Sequence, residues 1–311
     1  MSRIVVTGGS GRLGRTLVAS LSARGHEIVS IDRVESDAAE LAGTRQVALD
    51  LADADATARA LGAERPDALI HLAAIAVPFS APEDVILRTN AGLAASVLGG
   101  AVAAGIPNII AASSPTVIGY NCPTGWVPER FPLDEDTPAR PWNAYALSKH
   151  LVEQTVRMYA RQTGDAIRFA AFRPCYVIAP EEWAGAPTQQ GHTVRERLDD
   201  PALSAPALFN YVDARDVASF CDRLIEALPQ IPNAETFFVG ADDALARAPL
   251  ATLVPLFHPG TERVAAALQG TTPAFSNAKA KALLGWAPAH SWRTALDDDP
   301  TAPPDRKLRL A

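Results

Sequence analysis

The chain is 311 residues long, 48% hydrophobic and 20% charged, which is enough to bury a sizeable core and excludes disorder as its main state. Its 35 acidic and 28 basic residues leave a formal charge of -7, so the bulk field repels nucleic acid and anionic membrane, and neither is expected as a partner. Only four of the basic residues are Lys, and Lys149 is the single one before residue 279. A solitary Lys among arginines asks whether its position needs a compact ammonium, the alternative being chance survival on a solvated face.

In chain order, the first apolar run predicts a strand at Arg3–Thr7, directly after Met1-Ser2 and without an apolar leader. Thr7-Gly8-Gly9-Ser10-Gly11-Arg12-Leu13-Gly14 follows and opens a helix predicted over residues 13–24. Gly8, Gly11 and Gly14 suit a tight turn, a backbone approaching a pyrophosphate and close helix–strand packing, with the helix N-terminus facing the phosphates. Arg12 is placed to add a phosphate contact, and Leu13 belongs to the same turn. The second strand, 27–31, ends at Asp32, 18 residues after Gly14, near where an acid meets the adenosine ribose. Its carboxylate would accept from ribose hydroxyls and repel a 2′-phosphate, favouring NAD over NADP, while Arg33 next to it pulls the other way.

A third strand at 46–49 leads to Asp50-Leu51, and Asp53 caps a helix at 54–61. The fourth strand, 68–73, carries His71-Leu72-Ala73-Ala74, with His71 read as structural rather than catalytic. A helix over 85–104 precedes the fifth strand, 108–113, which ends in Ser113-Ser114-Pro115-Thr116. Asn143 caps a helix over 144–162 that places Tyr145 and Lys149 one turn apart on one face. A free phenol, with a pKa of about 10, is a poor base at neutral pH. A neighbouring ammonium is expected to stabilise the phenolate and lower that value, and a Ser hydroxyl to hold the reacting oxygen. A sixth strand spans 167–173, ahead of Pro174.

Residues 179–206 show no period and are expected to form a loop or lid; a helix at 215–228, a strand at 236–239 and a short helix at 277–284 follow. The tail from residue 297 is rich in Pro and Asp and is expected to be mobile. Three widely spaced cysteines, Cys122, Cys175 and Cys221, predict neither a disulfide framework nor a metal site and suit a reducing cytoplasm. No window reaches the roughly 18 uninterrupted apolar residues of a spanning helix.

From residue 3 to about 290 the sequence resembles the extended short-chain dehydrogenases/reductases, the NAD-dependent epimerase/dehydratase family. The likeness rests on the glycine turn, Asp32, Asp50-Leu51, His71-Leu72-Ala73-Ala74, Asn90, Ser113-Ser114, Tyr145-x-x-x-Lys149 and Arg173-Pro174. It continues through Tyr211-Val212-Asp213-Ala214-Arg215-Asp216 and an ending at Leu283-Leu284-Gly285-Trp286. The fold class expected is α/β, a Rossmann-type doubly wound parallel sheet over residues 1–174 with a small interleaved C-terminal substrate lobe over 175–296. The resemblance implies NAD as cofactor, Tyr145 as acid/base, Lys149 as its activator and ribose ligand, and Ser114 as orienting hydroxyl, with Ser113 as rival. Asn90 would lie behind Lys149, the segment after Pro174 would approach the nicotinamide, and helices near 88–104 and 144–162 would pair in a homodimer.

Pro115-Thr116 stands where the family's dehydratases carry an acidic pair, which argues against dehydration. Only 36 residues separate Pro174 from Tyr211, fewer than nucleotide-sugar enzymes spend there, so a small substrate without a nucleotide is expected. The segments at 71–77 and 113–120 look similar to uronate dehydrogenases, which differ in having a serine at the position of Ala76 and Asn-His at Pro115-Thr116. Candidate substrate contacts are Ala76, Ser114, Pro115, Thr116, Tyr145, Tyr176, His192 and Arg195. His192, Arg195 and Arg197 share the variable segment and suit a carboxylate or sugar hydroxyls, or else are solvated loop residues. The expected activity is NAD-dependent oxidation of a secondary hydroxyl on a small sugar, sugar acid or related alcohol. A nucleotide-sugar epimerase is the alternative, and a non-catalytic NAD-binding regulator a third.

Overall fold

The computed structural model describes residues 1–296; the expected mobile tail lies outside the described residues. Seven parallel strands form one sheet in the order β3-β2-β1-β4-β5-β6-β9. They are β1 (Arg3–Thr7), β2 (Glu27–Asp32), β3 (Arg45–Ala48), β4 (Ala68–His71), β5 (Asn108–Ala112), β6 (Arg168–Pro174) and, after the two-residue β7 (Val177–Ile178) and β8 (Val212–Asp213), β9 (Glu235–Val239). Helices α1 (Arg12–Ala23), α2 (Ala54–Glu64), α3 (Glu83–Ala103) and α4 (Ala144–Thr163) make four of the five connections among the first six strands, as the alternating pattern predicts, while β2 and β3 are joined by a loop with one short 3-10 turn.

The continuous apolar runs have a direct cause. Alternate residues of β1 feed opposite layers: Ile4 and Val6 belong to one apolar layer with Leu17 of α1 and Phe220, while Val5 belongs to the other with Val97 of α3 and Val152 of α4. A strand covered on both faces has no polar side to show. Each such aliphatic side chain, fully removed from water, stabilises the fold by about 1.5–3 kcal/mol. The helix starts read from the sequence hold as well. Asp53 accepts from the Ala56 N–H and Asn143 from the Ala146 N–H, both at 2.9 Å. By length and a mean hydropathy of 1.4, α3 would pass for a membrane span, but here it is a sheet-covering helix lying against α2 and α4.

The variable segment is more ordered than expected. It holds α5 (Pro180–Trp183) and α6 (Val194–Asp199). Thr193 and Glu196 close a reciprocal capping box at the start of α6, a signal present in the sequence that periodicity over so short a stretch does not reveal. Next come α7 (Ala214–Ala227), packed on α1, and α8 (Leu250–Phe257), α9 (Glu262–Ala265), α10 (Ala278–Leu284) and α11 (Trp292–Ala295). Only α7 and α10 among these were expected. Ile178, Val194, Leu198, Tyr211, Leu245 and Trp292 form a small second core beneath the variable segment.

Candidate active site

The ends of β1, β2, β4, β5 and β6 open into one cleft of about 1100 Å³. This is the carboxyl edge of the sheet where strand order reverses between β1 and β4, the usual ligand crevice of open α/β sheets.

At its floor the glycine turn does what the spacing predicts. Gly8 adopts φ +78°, and a Cβ there would come 2.7 Å from the Ala73 nitrogen, so the turn lies directly on the chain leaving β4. A Cβ on Gly14 would fall 2.1 Å from the Gly8 carbonyl oxygen. Helix α1 therefore starts closer to β1 than any side chain permits. Gly11 caps α1 without a side-chain hydrogen bond, and the first turn holds no acid, so the N–H groups and positive helix end remain available to an anion. Asp32 is held at the end of β2, accepting from the Ser10 N–H at 3.1 Å and the Arg33 N–H at 2.8 Å. Asp50, Leu51, Leu72, Ala73 and Ala74 complete this end, and Arg33 also faces the cleft.

Arg12 lines the cleft but is already engaged: its guanidinium pairs with buried Glu182 of α5, and Arg15 pairs with Glu181 at 3.3 Å. The expected phosphate contact is thus shared with a lid-to-turn latch that the sequence did not announce.

Ser114, Pro115 and Thr116 follow β5, and Tyr145 and Lys149 face them from α4, all lining the cleft together with Ala76, Pro174 and Tyr176. Burial pushes Tyr145 up to about 12, and the neighbouring Ser114 hydroxyl offsets that rise only in part. The ammonium of Lys149 donates to the Ala112 carbonyl at 3.0 Å and lies 6.0 Å from the Tyr145 ring centroid. Its own burial lowers it to about 8. Burial thus dominates at both groups, and the ammonium is turned toward a backbone carbonyl.

Ser113 is the wrong rival. Its hydroxyl donates to Glu153 at 2.7 Å and sits in a buried network in which Arg173 grips the same carboxylate at 2.7 and 2.9 Å. Its backbone borders the cleft, but its side chain ties α4 to the sheet. Asn90 is also off the cleft: it accepts from the Ile75 N–H at 2.8 Å and donates to Ser148 at 3.0 Å, bracing the loop after β4 against α4. His71, bonded to Thr7 at 2.8 Å, is buried and pushed down to about 3, a neutral structural imidazole as read.

Of the variable-segment candidates His192, Arg195 and Arg197, the structure brings one to the cleft. Neither His192 nor Arg195 lines the cleft, and Arg195 donates to the Leu296 carbonyl at 2.8 Å. Arg197 does line it, with Gln189 and Gln190.

Residues 4–240 match the model of the NAD dependent epimerase/dehydratase family. The chain is 32% identical over 159 residues to a UDP-glucose 4-epimerase of Azospirillum brasilense, a match covering 50% of this chain and 44% of that one, so it spans less than half of that relative. It is 31% identical over 209 residues to a uronate dehydrogenase of Agrobacterium fabrum, covering 67% of this chain and 74% of the other. Its fold is similar, with a TM-score of 0.70 at 19% identity and 96% of both chains covered, to a UDP-glucose-4-epimerase structure from Stenotrophomonas maltophila.

Proposed function

This chain belongs to the NAD dependent epimerase/dehydratase family, and from that premise we propose that it is an NAD-dependent dehydrogenase of a small sugar, sugar acid or related secondary alcohol. The observation carrying this reading is the gathering of Ser114, Tyr145 and Lys149 in the same cleft as the glycine turn. The residues fit a dinucleotide: the Gly8 and Gly14 positions leave no room for a side chain, the α1 N-terminus is uncapped by any side chain, and Asp32 stands where a ribose diol needs an acceptor. That carboxylate also disfavours a 2′-phosphate, which supports NAD over NADP. When bound, the nicotinamide supplies the hydride acceptor.

The chain's own groups do the rest. Tyr145, ionised against its burial by the Lys149 charge and the Ser114 hydroxyl, takes the proton of the substrate hydroxyl as that carbon gives up its hydride. The Ser114 oxygen already accepts from the Thr116 N–H at 3.2 Å and the Thr116 hydroxyl at 3.0 Å, which leaves its own proton to donate to the reacting oxygen or to Tyr145. Lys149 contributes positive charge against the developing anion, and no covalent intermediate is needed. The short stretch between Pro174 and Tyr211, and the similarity to a uronate dehydrogenase, support a substrate without a nucleotide.

Screening sugars, aldonates, uronates and polyols with NAD should yield NADH in step with product; product without net NADH would assign the chain to the epimerases instead. Tyr145→Phe should lower kcat by about 10²–10⁴-fold, the range of a lost general base. Full turnover by that variant would revive the non-catalytic reading.

We also propose a homodimer through α3 and α4. Leu147, Leu151 and Met158 are 37, 37 and 49% exposed on α4, apolar positions that a second copy would cover. A solution mass of two chains is expected, and Leu151→Glu should shift it toward one; a monomeric parent protein would rule the contact out.

A further inference from the structure

Arg197 stands out among the buried side chains. It is 2% exposed, yet no carboxylate pairs with it among the described residues, and burial pulls its pKa downward. Arg173, the other buried arginine, shows what a buried guanidinium ordinarily has: a two-pronged grip on a carboxylate, that of Glu153. Arg197 instead donates to the Gln190 Oε1 at 2.6 Å and lies over the Tyr176 ring, 4.3 Å from its centroid. Among the described residues its Nε has no hydrogen-bond partner, and neither does the buried Tyr176 hydroxyl. A fully desolvated cation with unused donors is costly unless something neutralises it.

Both side chains line the cleft that contains Ser114, Tyr145 and Lys149. Among the described residues, the only carboxylates lining that cleft are Asp32 and Asp50, beyond the ends of β2 and β3 at the glycine-turn side. The remainder therefore carries Lys149 and Arg197 and no acid of its own. Arg197 is fixed there by the capping box of α6 and by Ser204, whose hydroxyl donates to its carbonyl at 3.1 Å.

We propose that Arg197, assisted by the Tyr176 hydroxyl, binds an anionic group of the substrate, a carboxylate or a phosphate ester, so that the enzyme selects acidic over neutral alcohols. This rests on the dehydrogenase reading and narrows it. The guanidinium presents donors in a planar fork, the geometry that either oxyanion accepts.

The test uses the full chain loaded with NADH, in which an alcohol substrate forms an unreactive complex. Titration calorimetry with galacturonate, glucose 6-phosphate and galactose reads binding without turnover, and NADH formation with NAD reads catalysis. One of the two anions should bind at least about tenfold more tightly than galactose, a carboxylate preference and a phosphate preference being distinguished by which one it is. Arg197→Met should weaken that anion by about 30-fold or more and raise its KM by a similar factor, with galactose binding changed far less. Should Arg197→Met fail to melt cooperatively, Arg197→Lys, which keeps the charge but loses the fork, should still weaken the anion while retaining its margin over galactose.

Equal binding of all three probes, no binding by any of them, or undiminished anion affinity in a folded Arg197→Met overturns the proposal. Arg197-dependent anion binding with no NADH formed from any alcohol would keep the subsite and sink the dehydrogenase. NADH formed only from neutral alcohols, unaffected at Arg197, would do the reverse.

Discussion

Lys149→Arg is expected to fold, keep its positive charge and lose about a hundredfold or more in turnover. The reason is local. Lys149 is 5% exposed, and its ammonium reaches the Ala112 carbonyl at 3.0 Å and lies 6.0 Å from the Tyr145 ring centroid. A guanidinium is wider and planar, and cannot place a compact charge near both a phenolate and a ribose. Burial has already brought the lysine down to about 8 from an ordinary 10.5, a cost of about 3 kcal/mol in the folded state. Arginine cannot relieve that cost by losing its proton.

Lys149→Met separates the two roles of the residue. It should abolish turnover yet stabilise the protein by about 2 kcal/mol at pH 7, after subtracting about 1 kcal/mol for the hydrogen bond to Ala112. Below pH 8 the folded and unfolded chains both carry the charge, so the penalty on the parent protein is complete. Between 8 and 10.5 the folded amine has lost its proton while the unfolded one keeps it, so parent stability rises with pH and the advantage of the variant shrinks. Denaturant melts at pH 7 and pH 10 check this. A variant less stable than the parent at pH 7, or normal rates in Lys149→Arg, would return the residue to chance.

Glu153→Ala should cost about 3–5 kcal/mol, the loss typical when one partner of a buried ion pair is removed. Glu153 is 1% exposed and accepts from Ser113, from the Arg173 Nε and from the Arg173 Nη2. Without it, Arg173 keeps a charge that nothing else in the sheet compensates, and α4 loses its polar tie to β5 and β6. The midpoint of thermal unfolding should fall by about 10 °C. Replacing both Glu153 and Arg173 by Met should recover most of that loss, since the charge leaves with its partner. A fall below about 1 kcal/mol in the single variant would mean that water reaches Arg173 and screens it.

Much of the catalytic edge was legible in one dimension because its requirements are local. Gly8 takes a positive φ within its own tight turn, Gly14 abuts the Gly8 carbonyl six residues back, and Asp53 and Asn143 cap helices that begin at the next residue. Tyr145 and Lys149 share a face because 3.6 residues make a turn. The choice between Ser113 and Ser114 was not local. Strand geometry says that adjacent side chains point to opposite faces, but not which face meets α4.

Lys149 began as an oddity of composition, and from the sequence alone its place four residues after Tyr145 and its isolation among arginines were already determined. Its burial, its turn toward Ala112 and the rise of Tyr145 to about 12 were decided by packing, because desolvation depends on everything that surrounds a group. Arg197 is the clearer case. Arg195 and Arg197 sit two residues apart on α6, about 200° around the helix, so only one of them can face the cleft. Which one does so was set by how α6 docks on the small core of Ile178, Tyr211 and Trp292, contacts made with chain far removed in sequence. Spacing along the chain determines which residues share a face; only the tertiary structure decides what that face meets.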